Sequence, residues 1–198
     1  MLRGYAHAAR ELIAHYEAVS PARLYAPVGD LLPAMPSRIV DIGAGTGRDA
    51  AWLANAGHDV VAVEPVAEFR RAGMALHPSP RIDWRDDRLP DLRGLRGRDD
   101  RFDYVLLTGV WHHLDAAQRA AAMPALAGVT APGGRLVLSL RHGPGAAGRP
   151  VYPAPPEATI AAAQRVGFRL VRQRQAASMQ EANRMTGVSW TWLVFKLP

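Results

Sequence analysis

The sequence predicts a doubly wound α/β domain built on a mostly parallel sheet, and three observations carry that prediction. The run Ile39-Val40-Asp41-Ile42 is a short β-branched apolar segment. It leads through Gly43-Ala44-Gly45-Thr46-Gly47 into Ala50-Ala51-Trp52-Leu53-Ala54, which reads as strand, tight glycine turn and helix start. Val60-Val61-Ala62-Val63 repeats the buried-strand pattern and ends in Glu64, seventeen residues past Gly47. Helical spacing at about 48–56 and 66–76 then alternates with apolar runs at 59–64 and 81–84, the rhythm of βαβ units.

The remaining elements follow in order along the chain. Tyr5, Ala9, Leu12, Ile13 and Tyr16 recur at helical spacing, so an amphipathic helix is expected over 3–18, broken at Ser20-Pro21. Leu24, Val28, Leu31 and Leu32 suggest a second short helix ended by Pro33 and Pro36. Phe102–Leu107 reads as a fourth strand, followed by Trp111-His112-His113-Leu114. Asp115 with Gln118 forms a capping-box pattern, and Pro124 is expected to kink or interrupt the helix it opens. Pro132-Gly133-Gly134 turns into a fifth strand, Gly143–Pro150 is a flexible Gly/Pro loop, and a helix is expected over about 157–166. Strands near 168–174 and 188–196 complete the sheet.

At 198 residues the chain suits one well-buried core with a helical lead-in: residues 1–35, then a single globular unit over 36–198. The absence of cysteine excludes disulfides, thiolate metal sites and thiol catalysis, and no metal site is expected. Arg3, Arg10, Glu11 and Glu17 interrupt any apolar signal-peptide core. No run approaches the ~18 apolar residues of a membrane span, so a cytoplasmic protein without membrane association is expected.

The formal charge of +6 and pI near 10.4 invite a nucleic-acid reading. Among the 24 basic residues only Lys196 is lysine, a skew that, beside abundant alanine, looks like coding bias. The densest basic stretch, Arg93 to Arg101, is interleaved with Asp99 and Asp100, which oppose phosphate; a solvated surface loop is expected there.

An acid at the end of the second strand is where a doubly wound sheet receives ribose hydroxyls, so Glu64 points to a nucleotide-like cofactor. A dinucleotide fingerprint spaces its glycines G-x-G-x-x-G, whereas here the third glycine, Gly47, falls one residue early. Asp41 also places an acid near the turn, which suits a cationic ligand better than a diphosphate.

With these residues the chain resembles the class I S-adenosylmethionine-dependent methyltransferases. The acid-x-G-x-G-x-G turn is matched by Asp41 through Gly47, and the acid ending the second strand by Glu64. An acid after strand three is matched by Asp86, with Asp87 as its rival, ahead of Leu89-Pro90; strand four and the Pro-Gly-Gly turn follow in family order. The resemblance covers about residues 36–198 and implies a seven-stranded sheet in order 3-2-1-4-5-7-6 with the last strand antiparallel. It implies S-adenosyl-L-methionine as cofactor and S-adenosyl-L-homocysteine as product.

In that frame Glu64 accepts from the ribose hydroxyls, Asp86 or Asp87 from the adenine amino group, and Asp41 sits near the cationic end. Gly43, Ala44, Gly45, Gly47, Pro65 and Thr108 complete the cofactor set. His113, and after it His112, are candidates for a general base; packing and loop hydrogen bonding are the alternative. Trp111 is either substrate wall or core. Tyr5 and Tyr16 either close over the cofactor or pack in the core, and Arg141 and His142 could bind an anionic substrate. The residues after strand four are not the Asn/Asp-Pro-Pro-Tyr/Phe of exocyclic base methyltransferases. A small-molecule acceptor is therefore favoured, with an RNA or protein acceptor as runner-up. A nicotinamide-dependent oxidoreductase and a non-catalytic cofactor-binding regulator are the readings from other classes.

Overall fold

A computed structural model describes residues 2–95, 101–146 and 148–198. Its seven strands are β1 (Arg38–Ile42), β2 (Asp59–Val63), β3 (Ile82–Arg85), β4 (Phe102–Leu107), β5 (Thr130–His142), β6 (Arg169–Ala177) and β7 (Ser189–Lys196). They form one sheet in the order β3-β2-β1-β4-β5-β7-β6, the order expected. Strands β1 to β5 pair in parallel, and β7 runs antiparallel to both β5 and β6.

Alternation along the buried strands splits the apolar residues between two faces. Val40, Ile42, Val105, Leu107, Leu136 and Leu138 pack with α5 (Ala116–Val129) and α6 (Pro156–Arg165). Their chain neighbours Ile39, Leu106 and Val137 pack instead with α3 (Arg48–Asn55) and with Tyr25 and Val28 of the lead-in. A third cluster joins α1 (Leu2–Glu17) to α4 (Ala67–Leu76): Ala9 and Leu12 close over Val66 and Phe69.

The register places the functional edge. Asp41 pairs with Ala62 on β2 and with Leu106 on β4, so all three strands end at nearly the same level. Their loops open side by side where the chain order reverses between β1 and β4, the place where open α/β sheets bind ligands.

Several expectations are corrected. The second lead-in helix is only one turn, α2 (Pro21–Leu24), capped by Ser20, with a separate 3-10 turn at Gly29–Leu31. Pro27 lies between them; it lacks an N–H and biases Ala26 away from helical geometry. Helix α5 opens on the expected Asp115–Gln118 capping box but runs unbroken through Pro124. β5 begins ahead of Pro132-Gly133-Gly134: Phe102 faces Thr130 and Tyr104 faces Arg135, so the intervening residues bulge out of the ladder. A short helix, α7 (Glu181–Met185), was not expected from a five-residue segment too brief for periodicity. Of the basic stretch Arg93 to Arg101, Arg96 through Asp100 lie outside the described residues.

Candidate active site

The strand ends and α1 enclose a cleft of about 690 Å³. Its floor is the turn Asp41–Thr46, with Glu64-Pro65-Val66 and Asp87 on one side and Thr108–Val110, His112 and His113 on the other. Tyr5, Leu12 and Tyr16 of α1 line it from above.

The glycine turn is shaped by contacts only glycine permits. Gly43 has φ of 77°, and a Cβ there would come within 2.3 Å of Val110 Cγ2. Its N–H and that of Ala44 both donate to the carbonyl of Val63, at 2.7 and 3.0 Å, which locks the turn to the end of β2. Gly45 donates its N–H to Glu64 Oε2 at 2.9 Å, and Val66 donates to Glu64 Oε1 at 2.8 Å. The Glu64 carboxylate is therefore aimed by two backbone donors. Burial nevertheless raises its pKa, outweighing those donors and the Arg70 charge.

Asp41 is 3 % exposed and lines the same cleft. Burial pushes its pKa well up, and the nearby charge of Asp49 adds to the rise, against the opposing pull of Arg48. Asp49 was not foreseen. It is held by Arg48, whose Nη2 lies 2.7 Å from Oδ1, and accepts from the Tyr25 hydroxyl at 3.2 Å. The same hydroxyl hydrogen-bonds Thr108 at 2.9 Å, joining the lead-in to the β4 loop. Those contacts span tens of residues, so no local pattern announces them.

The two histidines differ. His113 Nδ1 lies 2.8 Å from the carbonyl of Pro150, which can only accept, so the proton is on Nδ1. Nε2 is then the acceptor for the Tyr5 hydroxyl at 2.6 Å. His113 thus anchors α1 and has both nitrogens engaged. The His112 ring lies beside it, tilted by 49° with centroids 4.1 Å apart, and its buried Nδ1 has no hydrogen-bond partner among the described residues. Burial, aided by the charges of His113, Arg141 and Arg119, drives the His112 pKa down to about 2. Burial lowers that of His113 as well. Both rings are neutral at physiological pH.

The structure brings Tyr5, Tyr16, Asp41, Gly43, Ala44, Gly45, Glu64, Pro65, Asp87, Thr108, His112, His113 and Arg141 to one cleft. Four expected residues do not line it. Asp86 is largely exposed and is bound by Arg70 at 2.7 Å, leaving its rival Asp87 on the cleft wall. Gly47 caps α3 in the left-handed region and meets the Trp84 ring, where an added Cβ would approach to 2.6 Å. Trp111 is core, 1 % exposed, with its indole N–H donated to Thr159. His142 points at Thr191, 2.8 Å away, on the neighbouring β7.

Residues 39–134 match the family described as methyltransferase domain. Uncharacterized methyltransferases of Mycobacterium tuberculosis and Mycobacterium bovis are 35% identical over 130 residues, 62% of this chain. Over this segment the chain is similar to the class I S-adenosylmethionine-dependent methyltransferases. The chain spans about half the length of the curated relatives it matches, 47%. Its fold is shared with the Burkholderia thailandensis 1,6-didemethyltoxoflavin-N1-methyltransferase, solved with 1,6-didemethyltoxoflavin and S-adenosylhomocysteine. The TM-score is 0.73 at 21% identity, covering 98% of this chain and 84% of the other. An S-adenosylmethionine-dependent methyltransferase from Mesorhizobium loti superposes with TM-score 0.72 at 18% identity, covering 91% of this chain and 99% of the other. These likenesses favour the methyltransferase reading over the nicotinamide oxidoreductase.

Proposed function

We propose that the cleft binds S-adenosyl-L-methionine and that the chain transfers its methyl group to a nucleophilic atom of a small molecule. The observation that carries this reading is the pair of buried carboxylates at adjacent strand ends. Glu64 is aimed by the Gly45 and Val66 amides, and Asp41 stands bare beside the glycine turn. The donor set fits the cofactor: Glu64 for two ribose hydroxyls, Asp87 for the adenine edge, and Asp41 toward the cationic end. Gly45 has φ of 58° and a Cβ on it would only touch the Tyr16 ring, at 3.6 Å, so glycine here serves the left-handed turn that presents its N–H to Glu64.

When bound, the cofactor supplies a methyl group on a positively charged sulfur, an already activated leaving group. The work left to the chain is alignment and exclusion of water. Tyr5, fixed by the Tyr5-His113-Pro150 hydrogen-bond chain, and Tyr16, packed on Phe69, close the cleft from the side of α1. Residues 1–35 thereby act as a cap on the domain 36–198. The two neutral histidines orient the acceptor; neither takes up a second proton in the working pH range, and a proton released by the acceptor passes to solvent. The small-molecule reading is supported by the covered, 690 Å³ cleft, within the range of small-ligand sites, and by the acceptor bound in the Burkholderia thailandensis structure.

Calorimetry with S-adenosylhomocysteine, NAD and NADP tests the cofactor, with saturable one-to-one binding of the first alone expected. Methyl release from S-adenosylmethionine across panels of small nucleophiles, RNA and protein tests the acceptor. Turnover with a polymer and none with small molecules would establish the runner-up. Binding without turnover on any panel would favour a non-catalytic regulator.

A further inference from the structure

Charge within the cleft is segregated. The buried carboxylates Asp41, Asp49 and Glu64 gather around the glycine turn, where Arg48 is closed by Asp49. The opposite wall carries Arg141, at the end of β5, and Arg149, on the loop that follows. Neither forms an ion pair among the described residues. Arg141 donates only to the carbonyls of Gly143 and Pro144, at 3.1 and 2.5 Å. The Arg149 guanidinium lies over the Tyr5 ring, 5.5 Å from its centroid. Burial lowers the pKa of Arg141, and the nearby charge of Arg149 adds to the fall, so the two cations feel one another. Between them stand Tyr5 and the neutral histidines, none of which offers a negative charge. Glu11 and Glu181 also line the cleft but are exposed and bind neither arginine.

Two like charges on one wall, with no carboxylate to separate them, repel until an anion lies between them. A second observation points the same way. His112 is 4 % exposed, lines this wall, and has no hydrogen bond on either ring nitrogen among the described residues. Nδ1 is closed off from solvent, so Nε2 is the ring nitrogen that a polar ligand would satisfy. We propose that Arg141 and Arg149 form an anion subsite, and that the methyl acceptor presents a carboxylate or phosphate group to this pair while its nucleophilic end lies against His112. Guanidinium forks suit either oxyanion, binding two oxygens at once. This deepens the methyltransferase reading and rests on it for the word acceptor, although the anion subsite itself does not need the cofactor.

The test uses the full chain saturated with S-adenosylhomocysteine and three probes at fixed ionic strength: benzoate, its neutral analogue benzamide, and inorganic phosphate. Binding is followed by ligand-observed NMR. Saturable binding of benzoate or phosphate is expected, with benzamide at least about tenfold weaker, and which anion wins separates a carboxylate from a phosphate acceptor. R141Q and R149Q should each weaken anion binding about tenfold or more, while their melting temperature stays within about 3 °C of the parent's and their S-adenosylhomocysteine affinity within about twofold. Equal binding of benzoate and benzamide, no saturable binding of either anion, or unchanged anion binding in both variants would overturn the subsite. Loss of S-adenosylhomocysteine affinity in the variants would also overturn it, by assigning the arginines to the cofactor. Failure of the parent chain to bind S-adenosylhomocysteine would instead defeat the cofactor reading, and the anions are then titrated on the unloaded chain.

Discussion

Asp41 carries the largest electrostatic cost in the site. A buried carboxylate with no compensating hydrogen bond is tolerated when a ligand supplies the missing charge. Its folded-state pKa lies well above the usual 3.8, mainly through burial. A raised carboxyl pKa means the folded chain holds its proton more firmly than the unfolded chain does. Stability conferred by the protonated form is therefore present at low pH and is lost as pH rises from about 4 through the raised value. Asp41→Asn should raise the melting temperature of the ligand-free protein at pH 7 to 8, and the gain should shrink near pH 4. The same variant should weaken cofactor binding. A lower melting temperature at pH 8 would mean that the Asp41 charge is already compensated. Glu64→Ala removes an acceptor aimed by two amides, and calorimetry should show cofactor affinity reduced by about 1.5–3 kcal/mol for each charged hydrogen bond lost. For the histidines, burial argues against a base that titrates in the working range. With His112 driven to about 2 and His113 also lowered, turnover between pH 6 and 7.5 should show no rise that H112N or H113N abolishes. A rising limb lost in either variant would restore general-base catalysis.

At the scale of elements, strands and long helices were legible because their signals are local. Buried β-branched runs gave β1 and β2, and the Asp115–Gln118 spacing gave the start of α5. Much of the site was legible for the same reason: Asp41, Gly43, Gly45 and Glu64 lie at strand ends that the pattern defines. What lay beyond reading was the choice between neighbours and the distant contact. Asp86 and Asp87 have the same chemistry, and Arg70, sixteen residues back on α4, draws one away from the cleft. Tyr25, Asp49 and Thr108 meet only after folding, and Arg149 enters from a glycine-rich loop without pattern. Pro124 shows how packing overrides propensity: it is exposed, but its neighbours Ala122, Met123, Ala125 and Leu126 are buried against the sheet and hold α5 through it. Pro124→Ala restores a helical N–H and removes the ring clash, so it should stabilise the fold by about 1–3 kcal/mol with activity unchanged. Thermal unfolding checks it; a lower melting temperature would show that the helix is shaped around the proline.

The whole molecule is a sheet with two apolar faces and a detachable third layer. Neither principal core contains a residue of α1, whose own cluster reaches only Val66 and Phe69 at the start of α4. Three polar links add to it: Glu17 to His77 at 3.0 Å, Arg48 Nη1 to the Tyr16 carbonyl at 2.8 Å, and Tyr5 to His113. Gly4 is part of the fit, since a Cβ there would come within 2.2 Å of the Gly148 carbonyl oxygen, on the loop that carries Arg149. Helix α1 thus touches both the cofactor end and the anion wall of the cleft while contributing little to the sheet. A chain lacking residues 2–19 should still unfold cooperatively, because both faces of the sheet keep their helices. Exposing Val66 and Phe69 costs about 1.5–3 kcal/mol each, so the melting temperature should fall by on the order of 10 °C. Affinity for S-adenosylhomocysteine should fall about tenfold or more, since the tyrosine cover and the Arg48 anchor are gone. Circular dichroism and calorimetry on the shortened chain decide it. Native-like cofactor affinity would make α1 a passive layer, and loss of cooperative unfolding would make it part of the core.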